Sequence, residues 1–328
     1  SMGIRLEDIL PQAVLIAHAS TTGLNVFLTR TGAKLGLLTT QGFEDTLLVM
    51  RSKGRHAGLS EEEIKRVVKG QKPEPLVPRP LIKGVKERID YKGAVLVPLD
   101  RASTEQAVKE LVENGVEAIV VSLLWSTANS VHEQEIKKII NEIYPALYVT
   151  ISSEVAPLVG EYERTSTAAM SGYIGPSLNN YHNKLKERFQ GKGFKHSPLI
   201  MQCYGGCVSL EESGTQPVGA ISSGPAAGLI AIKFLSELTG YQNVIATDVG
   251  GTSFDVGIIA DGEPQFAREP VIGQFAVQIP ILDVRSIGAG GGSIAWIEPI
   301  SNLLKVGPQS AGAVPGPVCY DDGGTEPT

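Results

Sequence analysis

The sequence has little cysteine, no long basic run and no apolar run near the roughly 18 residues that a membrane helix needs. Its 328 residues include three cysteines, too few for a disulfide framework, which favours a reducing compartment. The formal net charge of −6 makes nucleic acid and an anionic membrane poor partners. Because no signal peptide is recognisable either, these absences predict a cytoplasmic globular protein.

Signals for a zinc site are also missing. Cys203 and Cys207 are four residues apart, and no histidine follows at the spacing of a zinc finger. Both are therefore predicted to be buried as small apolar side chains. The segment HEQEI, which starts at His132, lacks the second histidine of a zinc-binding helix, so His132 is predicted to be exposed.

Residues 93–152 alternate between apolar strand patterns and amphipathic helix patterns. The first strand is GAVLVPLD, and the first helix is expected to have Ser103 as its cap and Gly115 as its stop. Alternation at this spacing predicts βαβ units and a parallel sheet.

Three further helices are predicted. One covers 160–193 and is expected to break at Gly175-Pro176, because proline lacks the backbone donor that a helix interior needs. A second covers 222–240, with Ser222 or Ser223 as its cap. A third begins at Ser60, where Glu63 stands at the position of a capping box.

The segment IATDVGGTSFDVGII, residues 245–259, consists of an apolar run, an acid, two glycines and a return to apolar residues. Gly250 and Gly251 permit a tight reversal at which bare N–H groups can face a ligand, and Thr252 and Ser253 add hydroxyl groups. This composition predicts a β-hairpin that forms an anion cradle. The alternative is a hairpin whose glycines serve only the turn.

Asp248 stands at the end of the first strand of this hairpin, beside the predicted cradle. A carboxylate near phosphates is repulsive unless a cation lies between them, so Asp248 predicts a bound Mg²⁺ ion. Asp255 stands on the returning strand, and its offset across the turn leaves open which face of the sheet it occupies. The sequence has no GxxxxGK[ST] motif, and the glycines lead into a strand, which argues against a Rossmann site.

The hairpin resembles the second phosphate loop of the superfamily of actin, sugar kinases and heat-shock-chaperone ATPases. The preceding segment, SSGPAAGLIAIKFL, looks like the small-residue connecting helix of that superfamily. Six segments follow the order typical of the hydantoinase A/oxoprolinase family: EYERTSTAAMSGYIGPSL, MQCYGG, SSGPAAG, DVGGTSFDV, IGAGGGSIA and VGPQSAGAVPGPVCY. That family includes ATP-dependent N-methylhydantoinases, 5-oxoprolinases and the large subunits of acetone and acetophenone carboxylases.

The resemblance implies an α/β fold, with an actin-like ATPase (ribonuclease H-like) core and a βαβ subdomain. It also implies an amino-terminal family region over 1–155 and a hydantoinase A domain over 156–328. Members of the family open with a first phosphate hairpin, which 3–12 lack, and they continue beyond the final GGTEPT. We therefore expect a fragment, or one subunit of a split protein, that by itself binds Mg-ATP weakly or not at all.

The resemblance further implies functional residues outside the hairpin. Gly290, Gly291 and Gly292 are expected to contact nucleotide or substrate, the alternative being a plain tight bend. Arg164 could bind a substrate carboxylate or phosphate through two hydrogen bonds, or could belong to an ion-paired helix start. His18 could be a substrate ligand or a structural histidine at a strand end.

The function implied is an ATP-dependent enzyme that phosphorylates a carbonyl oxygen to activate a cyclic amide for hydrolysis. Asp248 and Asp255 are then the expected catalytic residues, ATP and Mg²⁺ the cofactors, a small molecule the substrate and a hydantoinase B-like subunit the partner. Two alternatives remain, a subunit of an ATP-dependent ketone carboxylase and a non-catalytic actin-like assembly module.

Overall fold

The computed structural model describes residues 5–51, 56, 59, 64–65, 72–251, 253–299 and 302–328. The predicted helix start at Ser60 and Glu63 lies outside these residues. The chain forms two compact units. The first unit comprises Ser1–Gln202, Gly206–Ser222 and Arg268–Pro280, and the second comprises Cys203–Gly205, Ser223–Ala267 and Ile281–Thr328.

Both units contain helices and strands. The α-helices with both ends in the described residues are α1 (Leu6–Ile9), α2 (Thr22–Leu28), α3 (Thr46–Val49), α4 (Arg101–Glu113), α5 (Val131–Ile143), α6 (Ser152–Val155), α7 (Glu161–Gly191), α8 (Leu210–Thr215) and α9 (Ser223–Thr239). The strands are β1 (Ala17–His18), β2 (Leu35–Thr40), β3 (Ile82–Val85), β4 (Arg88–Ile89), β5 (Val95–Val97), β6 (Ala118–Ser122), β7 (Tyr148–Ile151), β8 (Leu199–Met201), β9 (Cys207–Val208), β10 (Val244–Val249), β11 (Phe254–Ala260), β12 (Glu263–Pro264), β13 (Val271–Ile272), β14 (Phe275–Ala276), β15 (Val284–Ile287), β16 (Ser293–Ile297) and β17 (Leu304–Ser310).

A four-stranded parallel sheet forms the core of the first unit, with the order β3-β2-β6-β7. The prediction of a parallel sheet is confirmed, but the predicted first strand does not belong to it. β5 is exposed and pairs antiparallel with β4, whereas β2 is buried along its whole length and pairs with β6. The reason is burial, since a central parallel strand is covered on both faces and needs a continuous apolar run.

The helix α7 runs unbroken from Glu161 to Gly191 with Pro176 inside it, so the predicted break is wrong. Close packing explains why the helix continues. A Cβ atom on Gly172 would lie 2.6 Å from Val120 Cγ2, and one on Gly175 would lie 2.5 Å from the ring of Tyr148. The glycines therefore bring the helix against the sheet, and this burial offsets the one hydrogen bond lost at the proline.

Three local predictions in the first unit are also wrong. The cap of α4 is Asp100, whose carboxylate accepts a 3.0 Å hydrogen bond from the backbone N–H of Ser103. His132 is buried, because its Nδ1 lies 2.8 Å from Oε2 of the buried Glu87. Cys207 is exposed, unlike the buried Cys203, because β9 is an edge strand of the sheet β1-β8-β9.

The second unit is built on antiparallel strands in the order β10-β11-β12, with β15 also paired to β11. The helix α9 covers one face of this sheet, where Ala226 and Leu229 pack with Ile259 and Leu282. A Cβ atom on Gly257 would lie 2.9 Å from Leu229 Cδ1. A residue without a side chain at 257 therefore lets the helix lie directly on the strands.

Candidate functional site

The segment 245–259 forms the predicted hairpin, since β10 and β11 are antiparallel neighbours in continuous register. Asp248 lies directly opposite Asp255, and Val249 lies opposite Phe254. The reversal is closed by a hydrogen bond of 2.8 Å from the Gly250 N–H to the Ser253 carbonyl oxygen. The Gly-Gly pair thus lies at the tip of the hairpin, immediately beyond the two acids.

The register decides the face of Asp255, which the sequence left open. Residues directly opposite on paired strands extend to the same face, so Asp248 and Asp255 are neighbours. The row continues on β15, where Ser286 lies opposite Asp255 and its hydroxyl donates a hydrogen bond to Asp255 Oδ1. We call Asp248, Asp255 and Ser286 the acidic row.

The acidic row lies at the end of the face that α9 covers. The next row, Ala246, Gly257 and Val284, belongs to the apolar packing under the helix. Lys233, further along α9, pairs at 2.8 Å with Glu263, which lies on β12 opposite Ala260 at the other end of β11. The amino-terminal turn of α9 is consequently the end nearest the acids, so its positive dipole end lies on their side.

The second glycine-rich segment, 288–292, docks on the tip of the hairpin. The N–H of Gly291 donates to the Gly250 carbonyl at 2.9 Å, and the N–H of Gly292 donates to the Gly251 carbonyl at 2.7 Å. A Cβ atom on Gly290 would lie 2.6 Å from the Gly250 carbonyl oxygen. A Cβ atom on Gly292 would lie 2.9 Å from the Gly251 carbonyl oxygen, so close backbone approach accounts for Gly290 and Gly292 without a ligand.

Other glycines of the two segments present bare backbone to open space. Apart from its chain neighbours, a Cβ atom on Gly251 or Gly288 would have no atom of the described residues within 4 Å, and one on Gly291 would have its nearest neighbour at 3.8 Å. These three positions are the ones at which a ligand can approach the backbone closely. Thr252 lies outside the described residues, while Ser253 is half-buried behind the tip.

Substitution of one packed glycine and one open glycine tests whether the two kinds differ. Gly290→Ala is expected to lower the free energy of unfolding by about 1–3 kcal/mol, because its Cβ meets backbone that has no room to move. Gly251→Ala is expected to change it by less than about 0.5 kcal/mol, since the added Cβ has no described atom within 4 Å apart from its chain neighbours. Urea unfolding of both variants measures this, and equal losses would contradict the assignment.

Two residues of this candidate site were not predicted from the sequence. Ser286 lies in a separate strand, and only the pairing of β11 with β15 brings it to Asp255. Gly288 belongs to the GAGGGS segment but precedes the three glycines that the resemblance singled out. The spacing of the glycines does not indicate which of them pack against backbone and which of them leave open space.

Arg164 lies inside the first unit and is 1% exposed. Its guanidinium donates to the hydroxyls of Ser126 and Ser152 and, at 2.8 Å, to the Leu123 carbonyl oxygen. It also lies 3.7 Å from the buried carboxylate of Glu133. These contacts favour the alternative of a structural, ion-paired arginine.

His18 lies in β1 of the first unit. Its Nε2 is 2.7 Å from the Tyr181 hydroxyl, and its ring is half-buried. Partial burial lowers the pKa of His18, because the charged imidazolium is poorly solvated there. The neutral ring can exchange one hydrogen bond with Tyr181 and retain a second nitrogen for another partner.

A magnesium ion suits the donors of the acidic row. The residues that the structure describes contain no group of three or more His, Cys, Asp or Glu side chains placed to hold a metal. Magnesium does not need such a cage, because it is usually held by one or two carboxylates together with phosphate oxygens and water. Asp248 and Asp255 supply the carboxylates on one face of the sheet.

Comparison with known proteins places the whole chain in one family. The family model described as hydantoinase/oxoprolinase matches residues 164–328, and the model of the hydantoinase/oxoprolinase N-terminal region matches 7–144.

None of the described helices has the length and apolar character required to cross a membrane.

Curated relatives match along the entire chain. The gamma subunit of acetophenone carboxylase from Aromatoleum aromaticum is 39% identical over 100% of this chain and 45% of its own length. The alpha subunit of caprolactamase from Pseudomonas jessenii is 34% identical over 100% of this chain and 46% of its own length. The chain thus spans about half the length of these relatives.

Solved structures agree with the α/β, actin-like fold that the motifs implied. Nucleotide-free acetone carboxylase matches with a TM-score of 0.85 and 32% identity, over 99% of this chain and 46% of that one. The ATP-dependent caprolactamase from Pseudomonas jessenii matches with a TM-score of 0.80 and 33% identity, over 100% of this chain and 46% of that one. The expected fold class is confirmed, and the chain belongs to the hydantoinase/oxoprolinase family.

Proposed function

We propose that this chain holds ATP phosphates for an enzyme that phosphorylates the carbonyl oxygen of a cyclic amide and so activates it for hydrolysis. The observation that carries the proposal is the direct opposition of Asp248 and Asp255 beside open glycine backbone. Like charges directly opposite on paired strands are destabilising by themselves. A bound cation would remove the repulsion between the two acids, which explains why both lie at the end of an apolar sheet face.

The proposal assigns a role to each part of the site. Asp248, the more exposed acid, would hold Mg²⁺, which when bound neutralises charge on the phosphates. Asp255 is oriented by the hydroxyl of Ser286, so its second carboxylate oxygen stays available on the same face. Gly251, Gly288 and Gly291 leave room for phosphate oxygens next to the backbone. The site would position the phosphates and neutralise their charge, and these two tasks are most of what phosphoryl transfer requires.

The proposed reaction has three balanced steps. The carbonyl oxygen of the amide attacks the γ-phosphorus of ATP, the bond from phosphorus to the bridging oxygen breaks, and ADP leaves with the electron pair. Water then adds to the activated carbon, the ring carbon–nitrogen bond breaks, and the nitrogen takes a proton and leaves as an amine, so that an acyl phosphate forms. A second water attacks the acyl carbon, the bond from that carbon to the phosphorylated oxygen breaks, and inorganic phosphate departs to leave an amino acid.

A second candidate is the activation of a ketone for carboxylation. It is favoured by the higher identity to the acetophenone carboxylase subunit, 39%, than to the caprolactamase subunit, 34%. The ketone then loses a proton from its α-carbon as its oxygen takes the γ-phosphoryl group, which gives an enol phosphate. The α-carbon attacks carbon dioxide formed from bicarbonate, the carbonyl group returns as the phosphorus–oxygen bond breaks, and the phosphoryl group passes to water as inorganic phosphate. The same acidic row serves both candidates, because both begin with phosphoryl transfer to oxygen.

The partner is proposed from the names of the relatives, several of which are subunits of carboxylases or of caprolactamase. We propose a hydantoinase B-like chain as the companion subunit. The companion would supply the chemistry that follows phosphorylation.

The test is ATP hydrolysis by the full-length protein co-purified with its companion subunit. Hydantoin, 5-oxoproline, caprolactam, acetone and acetophenone are added one at a time, with and without bicarbonate. Stimulation of ADP release by a cyclic amide, independent of bicarbonate, supports the hydrolase. Stimulation by a ketone supports the carboxylase, and a complex that none of the five stimulates contradicts both in favour of a non-catalytic module.

A further inference from the structure

We propose that the first unit carries a second small-molecule site, a polar pocket between α7 and α8 that binds a zwitterion, a molecule with one ammonium and one carboxylate group. The pocket has a volume of about 360 Å³, at the small end of the range for metabolite sites. It is formed entirely by residues of the first unit. The inference does not rest on the proposed phosphoryl transfer.

One face of α7 is polar where it lines the pocket. Asn179, His182, Asn183 and Lys186 occupy positions i, i+3, i+4 and i+7, which lie on one side of a helix. A helix face turned towards neighbouring elements is ordinarily apolar. Here the lining offers amides, an imidazole and an ammonium group, which together suit a polar occupant.

His182 is buried in the wall of the pocket, where it is 1% exposed. Burial and the neighbouring His18 lower the pKa of His182 to about 4, so the ring is neutral at neutral pH. The imidazole therefore adds no charge to the lining, and the charges that a ligand meets come from the lysines and glutamates.

The charges that line the pocket select the kind of ligand. Lys137 pairs with Glu154 at 2.7 Å, and Lys186 pairs with Glu211 at 3.2 Å. Each ammonium retains donors and each carboxylate retains lone pairs beyond these contacts. Because the four charges cancel, a simple anion or cation is attracted by two and repelled by two. A zwitterion can place its carboxylate at the lysines and its ammonium at the glutamates.

The part of the wall that Tyr148 and Gly214 form is held in place. The Tyr148 hydroxyl donates to the Gly214 carbonyl oxygen at 3.0 Å, and the Tyr148 ring lies against Gly175, where a Cβ atom would be only 2.5 Å away. A Cβ atom on Gly214 would lie 3.0 Å from Asn179 Oδ1. The pocket is therefore preformed, which reduces the entropy lost on binding.

Calorimetry on the 328-residue chain can test the charge rule with matched probes. The two zwitterions are 6-aminohexanoate and its isomer L-leucine, and the single-charge controls are hexanoate and hexylamine. We expect a Kd of about 1 mM or tighter for at least one zwitterion and binding weaker by at least about tenfold for both controls. The two isomers also separate a ligand with distant charges from one with adjacent charges.

Two lysine variants localise the site. Lys186→Met should weaken zwitterion binding by at least about tenfold, while Lys184→Met, which removes an exposed charge from the same helix, should not change it. Thermal unfolding of both variants shows that the fold is retained. The proposal is overturned if neither zwitterion binds at about 10 mM, if hexanoate or hexylamine binds as tightly, or if Lys186→Met behaves like Lys184→Met.

Discussion

Replacing Asp248 with alanine in the full-length protein is expected to lower substrate-dependent ATP hydrolysis by at least about 10²-fold and to leave the fold intact. Asp248 is exposed at the end of β10, and its carboxylate forms no hydrogen bond or ion pair with the described residues. The substitution also removes the repulsion between the carboxylates of Asp248 and Asp255, so the melting temperature should stay the same or rise slightly.

The measurement is steady-state ATPase activity together with thermal melting, each with and without Mg²⁺. Mg²⁺ with ATP should raise the melting temperature of the wild type and have no such effect on Asp248→Ala. Asp322→Asn, which changes an exposed acid elsewhere in the second unit, is the control and should behave like the wild type. Near-normal turnover of Asp248→Ala would mean that the glycines serve only the turn.

Replacing Arg164 with methionine is expected to lower the free energy of unfolding by about 3–5 kcal/mol. The guanidinium lies beside Glu133, which is fully buried and also accepts hydrogen bonds from the backbone N–H groups of Leu123 and Ser153. Without the arginine, that carboxylate keeps a buried charge with no counter-ion. The hydroxyls of Ser126 and Ser152 lose the hydrogen bonds donated by the guanidinium at the same time, although Ser152 still donates to Glu133.

Urea unfolding compares this variant with Arg51→Met. Arg51 pairs with Glu163 at 2.9 Å, but its side chain is 60% exposed, so its loss should change the free energy of unfolding by less than about 1 kcal/mol. The double variant Arg164→Met/Glu133→Gln should recover part of the loss, because it removes the stranded charge. If Arg164→Met unfolds like the wild type and instead raises the KM for substrate, Arg164 binds substrate and the structural interpretation is wrong.

The sequence was sufficient for the features that depend on neighbouring residues. The apolar run that ends at Asp248, the Gly-Gly reversal and the return strand predict a hairpin, because each of these choices is local. The ordered motifs predict the family for the same reason, since they are short and contiguous. Strand and helix alternation over 93–152 predicts a parallel sheet. That sheet forms, but it contains β2 and not the predicted first strand, β5.

Predictions failed where a distant contact outweighs a local preference. Pro176 does not break α7, because Gly172 and Gly175 let the helix pack against Val120 and Tyr148. His132 is buried, because a carboxylate far away in sequence, Glu87, satisfies its ring. In both cases the deciding partner is absent from the sequence window on which the prediction rested.

The candidate site divides in the same way. By itself the sequence determined which residues form the hairpin and that Asp248 stands at the end of its first strand. Only the tertiary structure decided that Asp255 shares a face with Asp248, that Ser286 orients it, and that Gly290 packs while Gly251 stays open. The physical reason is that register and close backbone approach arise between strands, and a linear pattern of glycines and acids does not record which neighbour each strand will meet.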